Sequence, residues 1–450
     1  MDVHDLSVVL ENDLCIGCGA CVAADPTLEL RLNPTKLIFE PTHAGSARAA
    51  AVCPAISVDY THLQSMRFPG SEQGPFGVVE SVMLAQSVDY NRNMKASSGG
   101  LIKELLMASL QRDDVDGAIV LGHVAGLDYE PKVIKSVDEV DSLPGSIYHN
   151  LPKHRVLQLL HELHGSYVLV AIPCELEGIF NYIYSSAPDL ETKIHSTIGL
   201  LCGWQYSHHA LRAICEFKKI DFDSITDLSY RGGGPVGKLR ITTSDGAVRT
   251  VNRRVDISYQ TAFDRHFNTP RCHFCINHAN FLSDIVVGDA WLPSTVGTRT
   301  GISLIISRTK NADSLMRDLS QEGRIVMTEV STAEIEESQT HRIAFGDFSY
   351  AYASYLRRLG RFVPDLRGPN IVEHRPVSDL EVEEFHRELE TKLRLQRQGA
   401  YRVLRRRKVT RELSALLRRY VRWFLVRILR IKSLTGQRQE VPRDQLSEFR

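Results

Sequence analysis

Three cysteines stand at C-x2-C-x2-C spacing, Cys15, Cys18 and Cys21, and a fourth, Cys53, comes later with Pro54 after it. Thiolates ligate soft metals. Three in a tight run can wrap one face of an iron–sulfur cubane while a fourth arrives from a distant segment. Gly17 and Gly19 suit so tight a wrap, because glycine adopts left-handed backbone without a Cβ penalty. A zinc knuckle is the competing reading, but structural zinc usually takes two separated C-x2-C pairs. Cys174, Cys202, Cys215, Cys272 and Cys275 complete the nine cysteines. Cys272 and Cys275 form a lone C-x2-C. Cys174 and Cys202 each close an apolar run, where a small buried core residue is the bland expectation.

The N-terminal run resembles the bacterial ferredoxin pattern C-x2-C-x2-C-x3-C-P, whose fourth cysteine ligates a second cluster. Here that place reads Asp25-Pro26. The resemblance implies a module that keeps one cluster, on Cys15, Cys18, Cys21 and Cys53.

Two glycine-rich segments could admit a ligand. Ser97-Ser98-Gly99-Gly100 precedes a helical stretch over 101–111. Ser98 can cap that helix, and free amides at a helix start favour an anion. On its own a Ser/Gly cap is usually only a cap. Tyr230-Arg231-Gly232-Gly233-Gly234 is the second segment. Its glycines could bring backbone close to a flat ring, and Arg231 could neutralise a phosphate. The bland alternative is a flexible approach to a hairpin.

The surrounding pattern alternates short apolar runs with helical stretches. Strands are expected over 78–87, 117–121, 167–172 and 194–201, and helices over 101–111, 154–163 and 210–218. A hairpin is expected around Asp245-Gly246, with further strands over 284–287 and 302–306. Past about 345 the texture changes to long charged helices. This predicts a mixed α+β and α/β fold. The divisions expected are a ferredoxin-like module over 1–65, an α/β domain over 76–172, a further domain over 173–340, and a helical basic tail over 345–450.

The 450 residues carry no net formal charge, with 43% apolar residues, so the chain as a whole is no polyanion binder. The balance conceals a polarity. Residues 401–432 hold twelve Lys/Arg and one acid, Glu412. In that stretch Leu413, Leu416, Leu417, Tyr420, Val421, Phe424, Ile428 and Ile431 fall on one helical face, with Arg411, Arg418, Arg419 and Arg422 opposite. This pattern suits an anionic membrane surface; docking on the domain or on a partner is the alternative. Nothing nearby supplies base-reading groups, so nucleic acid is not expected. The opening residues lack a secretory pattern, and no run approaches about 18 apolar residues. A cytoplasmic protein is expected, peripheral at the inner face of the membrane if the tail binds lipid. Disulfides are disfavoured there, which turns the cysteines toward ligation.

Several landmarks follow one another in order: the run at Cys15, Ala96-Ser97-Ser98-Gly99-Gly100, Pro173-Cys174-Glu175, Gly199-Leu200-Leu201-Cys202, and Tyr230 to Gly234. Cys272-x2-Cys275 comes next, then Asp284-Ile285 and Gly288-Asp289-Ala290-Trp291. Together they resemble the family of coenzyme F420 hydrogenase/dehydrogenase beta subunits, which includes hydroxymethyl chlorophyll reductase and a ferredoxin-type divinyl chlorophyllide reductase. The likeness covers roughly 10–335. It implies a second 4Fe–4S cluster on Cys174, Cys202, Cys272 and Cys275, beside an FAD held by 97–100 and 230–234. Cys215 has no counterpart and is expected to be a packed thiol. The family's Gly-Trp-Pro-Gly stretch reads Gly234-Pro235-Val236-Gly237 here, without the Trp. The resemblance implies an oxidoreductase passing electrons between two 4Fe–4S clusters, FAD and a small organic substrate or a deazaflavin. Ferredoxin or reduced deazaflavin is the implied electron partner. An electron-transfer beta subunit serving a partner oxidoreductase is the alternative, and a homo-oligomer is a further option. Asp289 and His278 lie near the Cys272 segment and are candidate proton donors.

Overall fold

A computed structural model describes residues 4–234, 237–295, 297–368 and 377–434. Its centre is one eight-stranded mixed sheet, in keeping with the expected mixed fold class. The strands are β1 (Ser81–Ser87), β2 (Gly117–Ala125), β3 (Asp128–Ile134), β4 (Tyr167–Ala171), β5 (Ile194–Leu200), β6 (Ile285–Asp289), β7 (Ser303–Ser307) and β8 (Ile325–Val330). Their spatial order is β8-β1-β7-β6-β5-β4-β2-β3. The sheet therefore takes strands from both the 76–172 and the 173–340 segments.

The central strands are buried on both faces, which is why β4, β6 and β7 read as near-continuous apolar runs rather than alternating ones. β6, β5, β4 and β2 are mutually parallel. Their carboxyl ends therefore share one edge of the sheet, where open α/β sheets place their ligands. β1 and β7 bring Ala85 and Ser303 to the same edge, paired with each other, and Ser303 is paired in turn with Asp289 of β6.

The helix Pro173–Ser186 springs from the end of β4. Pro173 occupies its first turn, and the Ile172 amide donates to the Glu175 carboxylate at 3.1 Å. Proline's fixed φ and a carboxylate reaching back to the cap both favour a helix start here. Beside the main sheet, Ile225–Ser229, Lys238–Thr243 and Val248–Asn252 form a separate antiparallel sheet turning at Gly246.

The N-terminal module is built from short pieces: helices Ser7–Glu11, Ala20–Ala24 and Ala47–Ala51 and a small hairpin. It is not covered by its own residues alone. Phe348, Tyr352, Phe385 and Leu389, from helices Ala333–Arg358 and Asp379–Arg397, share a core with Leu6, Val9, Cys15 and Cys53. Asp365–Arg367 pairs in parallel with Ser57–Asp59. The charged helices after 345 are thus the outer wall of this module up to about residue 397. The last helix, Tyr401–Leu434, docks through Tyr401 and Leu404 on the core around Ala210–Cys215, which also buries Cys215.

Candidate redox site

Gly17 and Gly19, at φ +74° and +82°, give the N-terminal loop its wrap. Both also accept a neighbour at close range. A Cβ on Gly17 would sit 2.3 Å from the Leu151 carbonyl oxygen, and one on Gly19 2.2 Å from the His154 Cα. The 151–154 segment is therefore pressed onto the loop, and the Lys153 amide donates to the Gly17 carbonyl at 2.8 Å. Cys15, Cys18, Cys21 and Cys53 are all buried and electrostatically coupled to one another. Burial pushes the Cys18 thiol up to about 12 and the Cys53 thiol up to about 11, and holds Cys15 and Cys21 well above the usual thiol range. A thiolate in such a place needs a cation to compensate it, and iron ions are such cations.

Cys174 stands in the first turn of Pro173–Ser186, Cys202 just past β5, and Cys272 and Cys275 around the short turn Pro270–Phe274. Cys174 is coupled to Cys202, and Cys275 to Cys272. The Gln205 amide donates to the Cys272 sulfur at 3.4 Å, and the Thr269 hydroxyl lies 3.2 Å from it. Such contacts tune a cluster ligand. Among the described residues, no three His, Cys, Asp or Glu side chains gather as around a single ion. One zinc ion draws its thiolates to about 2.3 Å of a point, whereas a cubane holds each thiolate at a separate iron. The eight cysteines fit cubane ligation in donor type and number.

The two groups are neighbours. Gly178, one turn beyond Cys174 on the same helix face, presses on Cys18: a Cβ there would lie 2.8 Å from the Cys18 sulfur. Glycine is the residue that lets the helix come this close.

The glycine loops meet at the same sheet edge. Gly99 packs so tightly that a Cβ would sit 2.5 Å from the Ala85 carbonyl oxygen, and its amide donates to Ser303 Oγ at 2.9 Å. The expected Ser98 cap is not formed. Gly100, at φ +82°, is the cap residue, and the Ser98 hydroxyl turns away to donate to the carbonyls of Gly288 at 3.2 Å and Ile302 at 3.0 Å. Ser98 lies two residues before that cap, too early to reach the free helix amides, so it ties the loop to β6 and β7 instead. Ser97 takes a hydrogen bond from Ser146 at 2.9 Å. In the second loop the Gly233 and Gly234 amides donate to the Met94 carbonyl at 3.1 and 3.2 Å. Among the described residues no atom would meet a Cβ on Gly233, and only the Met94 methyl, at 3.6 Å, would meet one on Gly234, so this stretch forms an open cradle. Gly232 at its start is similarly open, with only the Ser229 hydroxyl at 3.5 Å.

Tyr230 departs from the expectation of ligand contact. Its ring is 1% exposed, packed on Tyr148 and Phe263, and its hydroxyl lies 2.8 Å from His149 Nδ1. It anchors the loop from the core, because a phenol at the end of a core strand is buried with its neighbours. Arg231 forms a two-pronged pair with Asp289, at 2.5 and 3.0 Å, and lies 5.9 Å from the centre of the Trp291 ring. Asp289 is thus the counter-ion of Arg231 rather than a free acid. His278 exchanges hydrogen bonds with Cys202: its Nδ1 lies 2.9 Å from the Cys202 carbonyl, whose own amide donates to the His278 carbonyl at 3.1 Å. Pro235 and Val236 lie outside the described residues, as do the side chains of Arg418, Arg422, Phe424, Ile428 and Ile431.

Other residues at this edge carry no motif. Asn93 clamps Gly301 in both directions, accepting its amide at 2.7 Å and donating to its carbonyl at 3.0 Å, and so fixes the 97–100 loop from behind. Its only local signal is its place in a short helix, Tyr90–Lys95, just before the Ser/Gly run. Lys153, Glu175, Glu177 and Arg271 are buried beside the cysteines, and each stands within a few residues of a cysteine or of a segment pressed on one.

Known proteins share this chain's sequence pattern. Two patterns of the coenzyme F420 hydrogenase/dehydrogenase beta subunit match the chain, the N-terminal one over residues 82–158 and the C-terminal one over residues 164–333. The F(420)H(2) dehydrogenase of Methanosarcina mazei has a subunit that is 23% identical over 324 residues, which are 68% of this chain and 82% of that protein. The beta subunit of coenzyme F420 hydrogenase from Methanothermobacter thermautotrophicus is 25% identical over 256 residues, 55% of this chain and 83% of that protein. A solved structure of the F420-reducing NiFe hydrogenase complex from Methanosarcina barkeri aligns over 66% of this chain and 99% of its own, at 20% identity and a TM-score of 0.49. The two matched patterns span both glycine loops together with Cys174, Cys202, Cys272 and Cys275, and this chain belongs to the family of coenzyme F420 hydrogenase/dehydrogenase beta subunits.

Proposed function

We propose that this chain is an iron–sulfur flavoprotein oxidoreductase passing electrons between two 4Fe–4S clusters, an FAD and an organic substrate or deazaflavin coenzyme. Family membership supports the redox role. One observation carries the finer reading: Cys174 and Gly178 share a helix face about one turn apart, about 6 Å along the axis, and Gly178 rests on Cys18. The two cysteine groups are therefore close enough to act in series. Clusters carry electrons singly and flavin exchanges one or two, so together they convert between single-electron and hydride-like transfer.

The chain's own residues would act as follows. Cys15, Cys18, Cys21 and Cys53 hold one cluster, and Cys174, Cys202, Cys272 and Cys275 the other. Ser97, Ser98, Gly99 and Gly100 form the edge on which a pyrophosphate rests. Gly232, Gly233 and Gly234 offer bare backbone to the ring, and Arg231, oriented by Asp289, supplies positive charge beside it. Anaerobic purification tests this reading. Iron and sulfide near eight per chain with one FAD is expected; about four irons removes the second site, and stoichiometric zinc without sulfide removes both.

A second reading, in which the chain transfers electrons as one subunit of a larger oxidoreductase, is favoured by the names of the relatives, two of which are subunits of larger enzymes. A catalytic partner co-purifying at unit stoichiometry would select it. The last helix supports a peripheral membrane contact within either reading. Leu413, Leu416, Leu417, Tyr420, Val421 and Trp423 are 46–64% exposed. They stand in the stretch that carries twelve basic residues against one acid. An apolar face among many cations suits an anionic headgroup layer, each cation near the surface adding about 1 kcal/mol before screening. Among the described residues no helix is long and apolar enough to cross a membrane.

A further inference from the structure

Two buried ion pairs stand in the wall between the cysteine groups. Lys153 pairs with Glu175, the residue after Cys174, while its own amide holds Gly17, between Cys15 and Cys18. Arg271, directly before Cys272, donates from Nε and Nη2 to the carbonyl of Pro54, the residue after Cys53, at 3.3 and 3.2 Å. Its Nη2 also lies 3.5 Å from Glu177, one helical turn from Cys174. Glu177 is fully buried and accepts hydrogen bonds from the Tyr60 hydroxyl and the Asn277 amide, both at 2.9 Å. Lys153 and Arg271 are 8% and 2% exposed. The Arg271 guanidinium thus touches segments from both groups, and the Lys153 ammonium, paired beside the second group, also acts electrostatically on Cys18 of the first as well as on Cys174 and Cys202.

Such pairs are a weak way to stabilise a fold, since taking both charges out of water offsets most of their attraction. Their placement matters more beside groups whose charge changes by one with each electron. A fixed cation in a low-dielectric wall favours the more negative, reduced state on either side, and its carboxylate partner opposes it.

We propose that Lys153–Glu175 and Arg271–Glu177 are charge-setting positioning pairs that govern the reduction potentials of both clusters through one shared wall. The proposal rests on the two-cluster reading above. The transfer it concerns is a single electron leaving one cluster and arriving at the other, with no bond made and no proton moved. Because each cation borders both groups, changing one cation shifts both potentials in the same direction, and changing its acid shifts both in the opposite direction.

The test is an EPR-monitored redox titration of the full-length, iron-loaded protein. Lys153→Gln is expected to lower both midpoint potentials by a tenfold change in the one-electron reduction equilibrium, about 59 mV. Glu175→Gln keeps an acceptor for the Ile172 amide and is expected to raise both. Lys153→Arg, which keeps the charge, should leave both close to wild type. Unchanged potentials in iron-replete variants, same-direction shifts for Lys153→Gln and Glu175→Gln, or a shift in one cluster alone would each overturn the proposal. If Lys153→Gln loses iron, Glu175→Gln decides by itself: both potentials up supports the shared wall, and any other result overturns it. An iron count near four in the unmodified protein fails the two-cluster reading instead, by a separate measurement.

Discussion

Replacing Arg231 separates two things that the Arg231–Asp289 pair could be doing: holding a loop and holding a ligand. The pair is a two-pronged fork, 2.5 and 3.0 Å, with the guanidinium side chain 4% exposed and the carboxylate 23% exposed. Arg231→Met leaves the Asp289 carboxylate without its cation. Removing one partner of a buried pair costs about 3–5 kcal/mol. Asp289 keeps some contact with water, so the lower end, about 3 kcal/mol, is expected. Asp289→Asn strands the guanidinium and should cost a similar amount. The double variant removes both charges, and its cost should fall to about 1 kcal/mol, leaving a coupling of several kcal/mol in the cycle. Thermal unfolding of the four proteins ranks these costs. FAD per chain, read from the visible spectrum after release, is measured alongside. Stability should recover in the double variant, whereas flavin should stay low in every variant that lacks Arg231. Full FAD occupancy in the double variant would refute the placement of Arg231 at the ring, and additive costs would refute the strength assigned to the pair.

Gly19→Ala forces a Cβ to within 2.2 Å of the His154 backbone at a positive φ, so iron should fall from about eight to about four per chain while flavin stays; unchanged iron content would contradict the N-terminal cluster loop. Gly99→Val meets the Ala85 carbonyl at 2.5 Å and should lower FAD content while leaving the Cys15 group's iron, a split that combined iron and flavin analysis reads directly. Burial lowers His209 to about 4, from 6.5, where it bonds the Tyr401 hydroxyl and the Thr35 carbonyl. The fold therefore favours the neutral ring: its contribution is full above about pH 6.5 and is lost as pH falls toward about 4, up to about 3 kcal/mol. His209→Gln should flatten the pH dependence of thermal unfolding in that window, and superposable profiles would rule this out. Leu416→Glu with Trp423→Glu should abolish salt-sensitive co-sedimentation with anionic vesicles, since both side chains are exposed on the last helix; equal pelleting of variant and wild type would make that helix a packing element.

Local chemistry is what the sequence displays most clearly. The strand pattern is legible because β4, β6 and β7 are short, apolar and bounded by polar turns. The edge that gathers the parallel strand ends follows from that alternation. Long-range pairings leave no such trace. Arg271 meets Pro54 across 217 residues, and nothing near either one signals the other. The helices after 345 read as a tail because charge dominates their composition. Their function as a wall depends on Phe348, Tyr352 and Phe385, three aromatics spread over two helices among many charges. Ser98 shows the reverse error: a serine before two glycines has the right type for a cap, but it stands two residues before the cap position, and that register decides which amide it can reach.

The cover over the N-terminal cysteines has a consequence in time. Cys15, Cys18, Cys21 and Cys53 leave the ribosome early, whereas Phe348, Tyr352 and Phe385, which close over them, are made roughly three hundred residues later. At about 5–20 residues per second, that interval is on the order of fifteen to sixty seconds. During it the four thiols lack that cover and stand open to oxidants and, on the reading proposed above, to the delivery of iron and sulfide. Once Asp365–Arg367 zips onto Ser57–Asp59 the door is shut. On the two-cluster reading proposed above, loading would race closure, and slowing translation past residue 340 should favour the loaded form.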